Sequence, residues 1–154
     1  MFDPLFSKIL VAFDGSEPSK RALDYAAKTT AMFQGELIIL TVVPPTPFPI
    51  LTEEGVGAMS ARELQDYESR KRESYRLSLE TAEAEVRQRY PDLKFEALLV
   101  EGRPSSTIVE EAEKRDVCLI IMGSRGLGGI TGWILGSTSR KVVDHCTKPI
   151  LVVK

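Results

Sequence analysis

The chain has 154 residues, 43% of them hydrophobic and 27% charged, with a formal net charge of −2. That profile fits one globular domain, taken as residues 1–154, long enough to bury a core. The charge balance speaks against a nucleic-acid surface or a polybasic membrane patch, and no stretch approaches the ~20 apolar residues of a membrane span.

Ile9-Leu-Val-Ala-Phe13 is apolar throughout and reads as a strand buried on both faces, ended by Asp14-Gly15-Ser16. Ser16 is placed to cap a helix that tolerates Pro18 in its first turn and carries Ala22, Leu23, Ala26, Ala27 and Thr30 at helical spacing. It runs to about Phe33, where Gly35 is the expected stop. Leu37–Val43 is a second buried strand. A long proline-rich loop follows, from Pro44 to residue 59, longer than a normal connection. A charged helix from about Ala61 to Arg89 carries an apolar stripe that includes Leu64, Tyr67, Tyr75, Leu79, Ala82 and Val86, and Pro91 ends it. Phe95–Val100 is the third strand. Gly102-Arg-Pro104 turns into a helix containing Ile108, Val109 and Ala112, and Val117–Met122 is the fourth strand. Ser137–His145 reads as the last helix and Ile150–Lys154 as a fifth strand. Alternating strands and helices with continuous apolar strands predict an α/β fold, a parallel sheet covered by helices on both faces.

The segment between the fourth strand and the last helix, Gly123-Ser-Arg-Gly126-Leu-Gly-Gly-Ile-Thr-Gly-Trp-Ile-Leu-Gly136-Ser137-Thr138-Ser139, is the strongest functional signal. A strand, a glycine loop and a helix start together make an anion site, because glycines admit close backbone approach and the helix dipole favours negative charge. The spacing is not that of the P-loop, since Ser137 and Thr138 follow Gly136 where that loop needs a lysine. Nor is it the dinucleotide fingerprint, because Thr131 stands where the third glycine belongs. It does fit G-x2-G-x9-G-[S/T] through Gly123, Gly126, Gly136 and Ser137. On that motif the chain resembles the ATP-binding branch of the universal stress protein family. Val11-Ala12-Phe13-Asp14, Gly102-x-Pro104, Ile121–Gly126 and the closing Lys148-Pro149-Ile-Leu-Val-Val carry the resemblance across nearly the whole chain.

The resemblance implies a Rossmann-like, adenine nucleotide alpha hydrolase-like sheet of order 3-2-1-4-5, with the ligand at the switch point between strands one and four. It implies ATP as ligand, with Mg²⁺ or Mn²⁺ held through the phosphates. Asp14 would hydrogen-bond the ribose or base, since a carboxylate suits sugar hydroxyls; its alternative role is to close the turn or cap the first helix. Ala12 and Val42 would frame the adenine, Val42 through its backbone, and Met122 would lie alongside although it also simply ends a core strand. Gly123, Ser124 and Gly126 would pass under ribose and phosphates, with Arg125 adding charge. Gly136, Ser137, Thr138 and Ser139 would bind phosphates through amides and hydroxyls, a role compatible with plain capping by Ser137 or Thr138. Gly128, Gly129 and Gly132 would free the loop to close, and Trp133 is a lid, a partner contact or simple packing. The resemblance further implies a homodimer, possibly a tetramer, through the apolar terminal strand Ile150–Val153, whose exposed edge is a pairing hazard if left bare.

These readings favour a nucleotide-dependent stress or signalling module acting with an unidentified protein partner. A slow ATP hydrolase of the same fold, with Asp14 or Ser124 positioning water, and a dimeric interaction module without nucleotide are the alternatives. Enzymes of the ATP-pyrophosphatase type place a serine- and glycine-rich loop after strand one, and Asp14-Gly15-Ser16-Glu17-Pro18 is too acidic and too short for that. A receiver-like switch is disfavoured because the third strand ends Leu99-Val100-Glu101-Gly102, without the phosphoacceptor aspartate. His145, the sole histidine, sits where a helix C-terminus favours its cation, a structural place rather than a catalytic one. Cys118 and Cys146 have neither metal-site nor disulfide-framework spacing, so a reduced, cytoplasmic setting is expected. The opening Met1–Lys8 segment lacks the basic and apolar regions of a signal peptide.

Overall fold

A computed structural model describes residues 6–47, 60–127 and 134–154. The elements alternate: β1 (Lys8–Ala12), α1 (Glu17–Phe33), β2 (Glu36–Val43), α2 (Ala61–Arg89), β3 (Lys94–Glu101), α3 (Pro104–Lys114), β4 (Leu119–Gly123), α4 (Ser137–His145) and β5 (Ile150–Val153). The five strands form one parallel sheet of order β3-β2-β1-β4-β5, as the resemblance implied.

Strand alternation divides the core in two. Ile9, Val11, Leu37, Ile39 and Ile121 face α1 and α2, meeting Ala22, Leu23 and Ala26 from the first and Leu79, Ala82 and Val86 from the second. Leu10, Ile38, Leu40, Val42, Ile120 and Met122 face α3 and α4, meeting Ile108, Ala112 and Val142. Both faces are covered, which is why the central strands are uninterrupted runs of Ile, Leu and Val. Each such side chain, once fully buried, stabilises the fold by about 1.5–3 kcal/mol. Thr41, the buried polar residue of β2, donates its hydroxyl to the Phe13 carbonyl at 2.7 Å.

Element ends follow local chemistry, with three adjustments. Ser16 caps α1 by accepting from the Ser19 amide at 3.3 Å. The left-handed residue that ends α1 is Gln34 (φ 54°) rather than Gly35, whose amide instead reaches back to the Thr30 carbonyl at 3.0 Å. β4 begins at Leu119, not Val117, because pairing with β1 starts at Ile9↔Leu119. Val117 is buried because its amide closes the end of α3 on the Ala112 carbonyl at 3.1 Å. α4 is capped by Gly136 rather than by Ser137 or Thr138, and no side chain caps it. The charged α2 starts with a capping box in which Ser60 and Glu63 satisfy each other's amides. No helix among the described residues is long and apolar enough to cross a membrane.

Candidate functional site

Parallel strands deliver their C-terminal ends to one rim. The chain winds from β1 outward to β3, then returns to β4 beside β1, so a crevice opens between the ends of those two strands. A cleft of about 240 Å³ lies there. Eleven of the twelve sequence-predicted residues line it, Ser124 being the exception. Ala12, Val42 and Met122 make an apolar floor, extended by Leu40 from β2 and by Pro104 and Ile108 from the start of α3. Gly123, Arg125 and Gly126 form one lip, and Gly136, Ser137, Thr138 and Ser139 form another. Lining residues that the sequence reading had given no role in the site include Phe13, Ser19, Pro44, Tyr75 and Leu127. Helical spacing had put Tyr75 on the core stripe of α2, and only the way α2 overhangs the sheet brings it here.

Asp14 stands at the end of the central strand with both oxygens engaged. Oδ1 accepts from the Ser16 amide at 2.9 Å and Oδ2 from the Leu127 amide at 3.0 Å. The turn-closing role is therefore real, and it does not exhaust the carboxylate, whose two oxygens offer about four acceptor positions. The same side chain ties the start of α1 to the glycine loop.

Two loop glycines have internal reasons to be glycine. A Cβ at Gly123 would lie 2.8 Å from the carbonyl carbon and the Cβ of Pro18, so this residue is small because β4 passes against the start of α1. A Cβ at Gly126 would lie 2.7 Å from Asp14 Oδ2. Gly126 thus guards the position of Asp14 as well as backbone access.

Ser124 is buried, does not line the cleft, and braces the loop through its backbone. Its amide donates to the Val153 carbonyl at 2.7 Å, and its carbonyl accepts from the Gly136 amide at 2.7 Å and the Ser139 hydroxyl at 2.9 Å. Ser139 also donates to the Gly136 carbonyl at 3.0 Å. Its hydroxyl proton is committed to this brace, leaving Ser137 and Thr138, exposed and half-buried, to present hydroxyls outward. With glycine as N-cap, the first-turn amides of α4 have no capping side chain and open on the cleft, the arrangement that attracts an anion.

Other sequence features lie elsewhere. His145 is exposed in the last turn of α4, its Nδ1 2.8 Å from the Lys141 carbonyl. Lys148, just before β5, stands at the far end of the sheet from Asp14, pairing with Asp116 at 2.8 Å. That ammonium, by hydrogen bond and charge, holds the Asp116 carboxyl below its ordinary value. A larger cleft of about 660 Å³ runs between α1 and α2. Its walls combine the Phe13 and Gly15 turn with helix residues that mix charges of both signs, among them Lys20, Asp24 and Arg89. Met59, residues 48–58 of the proline-rich loop, Gly128, Gly129, Gly132 and Trp133 lie outside the described residues. Among the described residues, no group of three or more His, Cys, Asp or Glu side chains is arranged to hold a metal ion.

A five-stranded parallel sheet of this order, with a glycine-lipped cleft at its switch point, defines a Rossmann-like α/β protein. Residues 5–154 match the universal stress protein family, and the chain belongs to that family. Universal stress protein YxiE of Bacillus subtilis is 31% identical over 150 residues, covering 97% of this chain and 100% of the relative. The solved structure of MJ0577, from Methanocaldococcus jannaschii, is 26% identical with a TM-score of 0.72, covering 97% of this chain and 96% of that one. A universal stress protein from Archaeoglobus fulgidus, solved in complex with dAMP, has a TM-score of 0.62 at 20% identity, covering 97% and 99%, and supports the fold alone.

Proposed function

We propose that this universal stress protein binds ATP in the switch-point cleft and acts as a cytoplasmic, homodimeric, nucleotide-dependent module. The observation that carries this reading is the meeting of an apolar floor, a carboxylate and an uncapped helix start in one crevice. The adenine rests on Ala12, Val42 and Met122. The ribose meets Asp14. The phosphates meet the first turn of α4, with the Ser137 and Thr138 hydroxyls and Arg125 alongside. Mg²⁺ or Mn²⁺ is held mainly by phosphate oxygens and water, the usual habit of a hard cation with a nucleotide. The residues fit such a ligand because the cleft joins an apolar floor to amide and hydroxyl donors at the start of α4. That universal stress proteins can hold adenine nucleotides is supported by the Archaeoglobus fulgidus protein solved with dAMP.

The dimer reading rests on β5. It is an edge strand in which Leu151 remains 42% exposed, an apolar group beside unpaired backbone. A second copy pairing there covers both.

Nucleotide released from gently purified protein, identified by chromatography and mass spectrometry and followed by calorimetric titration with ATP, ADP and AMP plus Mg²⁺, tests the proposal. Co-purified or tightly titrating ATP is the expected result. The absence of nucleotide, with no heat from any of the three, overturns it and leaves the glycine loop a structural element.

A further inference from the structure

α2 is longer than the sheet it covers. Its 29 residues span about 44 Å, against about 26 Å for the eight residues of β2. Its lower stripe, Leu79, Ala82 and Val86, packs on the sheet. The stripe continues through Tyr75, Lys71 and Tyr67 at four-residue steps; of these Tyr75 lines the cleft, and Lys71 reaches the segment that follows β2. This overhang is anchored on both sides of Tyr75. One turn earlier, Lys71 Nζ donates to the Pro44 carbonyl at 2.6 Å and the Thr46 hydroxyl at 2.8 Å. Three residues later, Ser78 Oγ packs on the Gly15 turn, 2.7 Å from where a Cβ at Gly15 would stand. Among the described residues, Tyr75 is therefore held as the one α2 residue in the cleft wall, and beside Phe13, which is buried in the core, it is the only aromatic lining it. Asp14 and Tyr75 line the same cleft, and burial of the ring, with the Asp14 charge, holds its phenol above the ordinary tyrosine value.

The chemistry of the pair selects its ligand group. Asp14 only accepts hydrogen bonds, whereas a tyrosine hydroxyl both donates and accepts. An exocyclic amine of a base satisfies the acceptor but wastes the donor. A sugar hydroxyl satisfies both, donating to the carboxylate while accepting from the phenol. Position agrees: Asp14 ends the central strand, between the floor residue Val42 on β2 and the phosphate lip that follows β4. We infer that the Tyr75 hydroxyl joins Asp14 in reading the hydroxyl edge of a bound nucleotide's sugar, making Tyr75 the residue that sets preference for ribo- over deoxyribonucleotides. This rests on the nucleotide-binding reading above.

The test is calorimetric titration of the full chain and its Tyr75→Phe variant with ATP, 2′-deoxyATP and 3′-deoxyATP. Wild type is expected to bind ATP about fivefold or more tightly than at least one deoxy analogue, the worth of one hydrogen bond. In Tyr75→Phe, ATP affinity falls about fivefold towards that of this analogue, whose own affinity is unchanged, and the discrimination that remains is the part Asp14 supplies. A structural role of the ring would lower all three alike, and that result overturns the inference. So does a wild type that binds all three equally, or a variant whose discrimination is undiminished. A wild type that binds none of them removes the nucleotide reading itself, a result separable from the others.

Discussion

Gly123 and Gly126 sit three residues apart in one motif, yet their substitution by alanine should fail in different ways. At Gly123 the new methyl stands 2.8 Å from two Pro18 atoms and 3.0 Å from the Ser19 amide nitrogen. Those atoms belong to the capped start of α1, and Ser19 is itself buried. Relief requires moving α1 against β4, and overpacking of this kind costs about 1–3 kcal/mol. For a chain of this size, about 2 kcal/mol lowers Tm by about 4–8 °C. At Gly126 the methyl meets only Asp14 Oδ2, the end of a side chain, at an exposed position. Asp14 can swing away at the cost of its bond from the Leu127 amide, so stability should fall by less than about 1 kcal/mol in this solvent-facing site. ATP affinity should nevertheless drop about tenfold, because the carboxylate has left its place and a charged hydrogen bond is lost. Thermal and urea unfolding of both variants, with calorimetric titration of each, measures the contrast. A Gly123→Ala protein as stable as wild type, or a Gly126→Ala protein that unfolds earlier than Gly123→Ala, refutes the reasoning.

Three further outcomes are expected. Ser139→Ala removes a hydroxyl that donates to the Ser124 and Gly136 carbonyls, and should cost about 1–2 kcal/mol in urea unfolding, while Ser137→Ala stays within about 0.5 kcal/mol of wild type; equal effects would contradict the brace. Leu151→Lys places a charge on the partly exposed edge of β5, where the fold tolerates it and a dimer does not. Light scattering should report a monomer with unchanged circular dichroism, and a persisting dimer would put the interface elsewhere. Tyr75 has its phenol pKa raised above the ordinary 10.0 by burial and by Asp14. Its neutral form is favoured on folding, so its contribution to stability is intact below pH 10 and is lost as pH climbs towards the folded value. The difference in 295 nm absorbance between wild type and Tyr75→Phe should therefore titrate above that value in the native protein, and a difference titrating at or below it would show the ring is not so placed.

The sequence by itself determined the order of elements, the parallel sheet and the position of the glycine lip. These follow from near-neighbour chemistry: uninterrupted Ile, Leu and Val runs demand cover on both faces, Ser16 demands a helix start, and Pro91 demands a helix end. Strand order came from the resemblance rather than from pattern, because periodicity carries no information about which strands lie side by side. The tertiary structure decided what the motif residues touch within the fold. Ser124 and Gly123 read like ligand contacts in the sequence; in the fold the first also braces α4 and the second also makes room for α1, through contacts about 15 and over 100 residues away. Tyr75 read as core because helical spacing assigns it to a buried stripe. It reaches the cleft because α2 is longer than the strands beneath it, a mismatch of lengths that becomes visible only once helix and sheet are packed together.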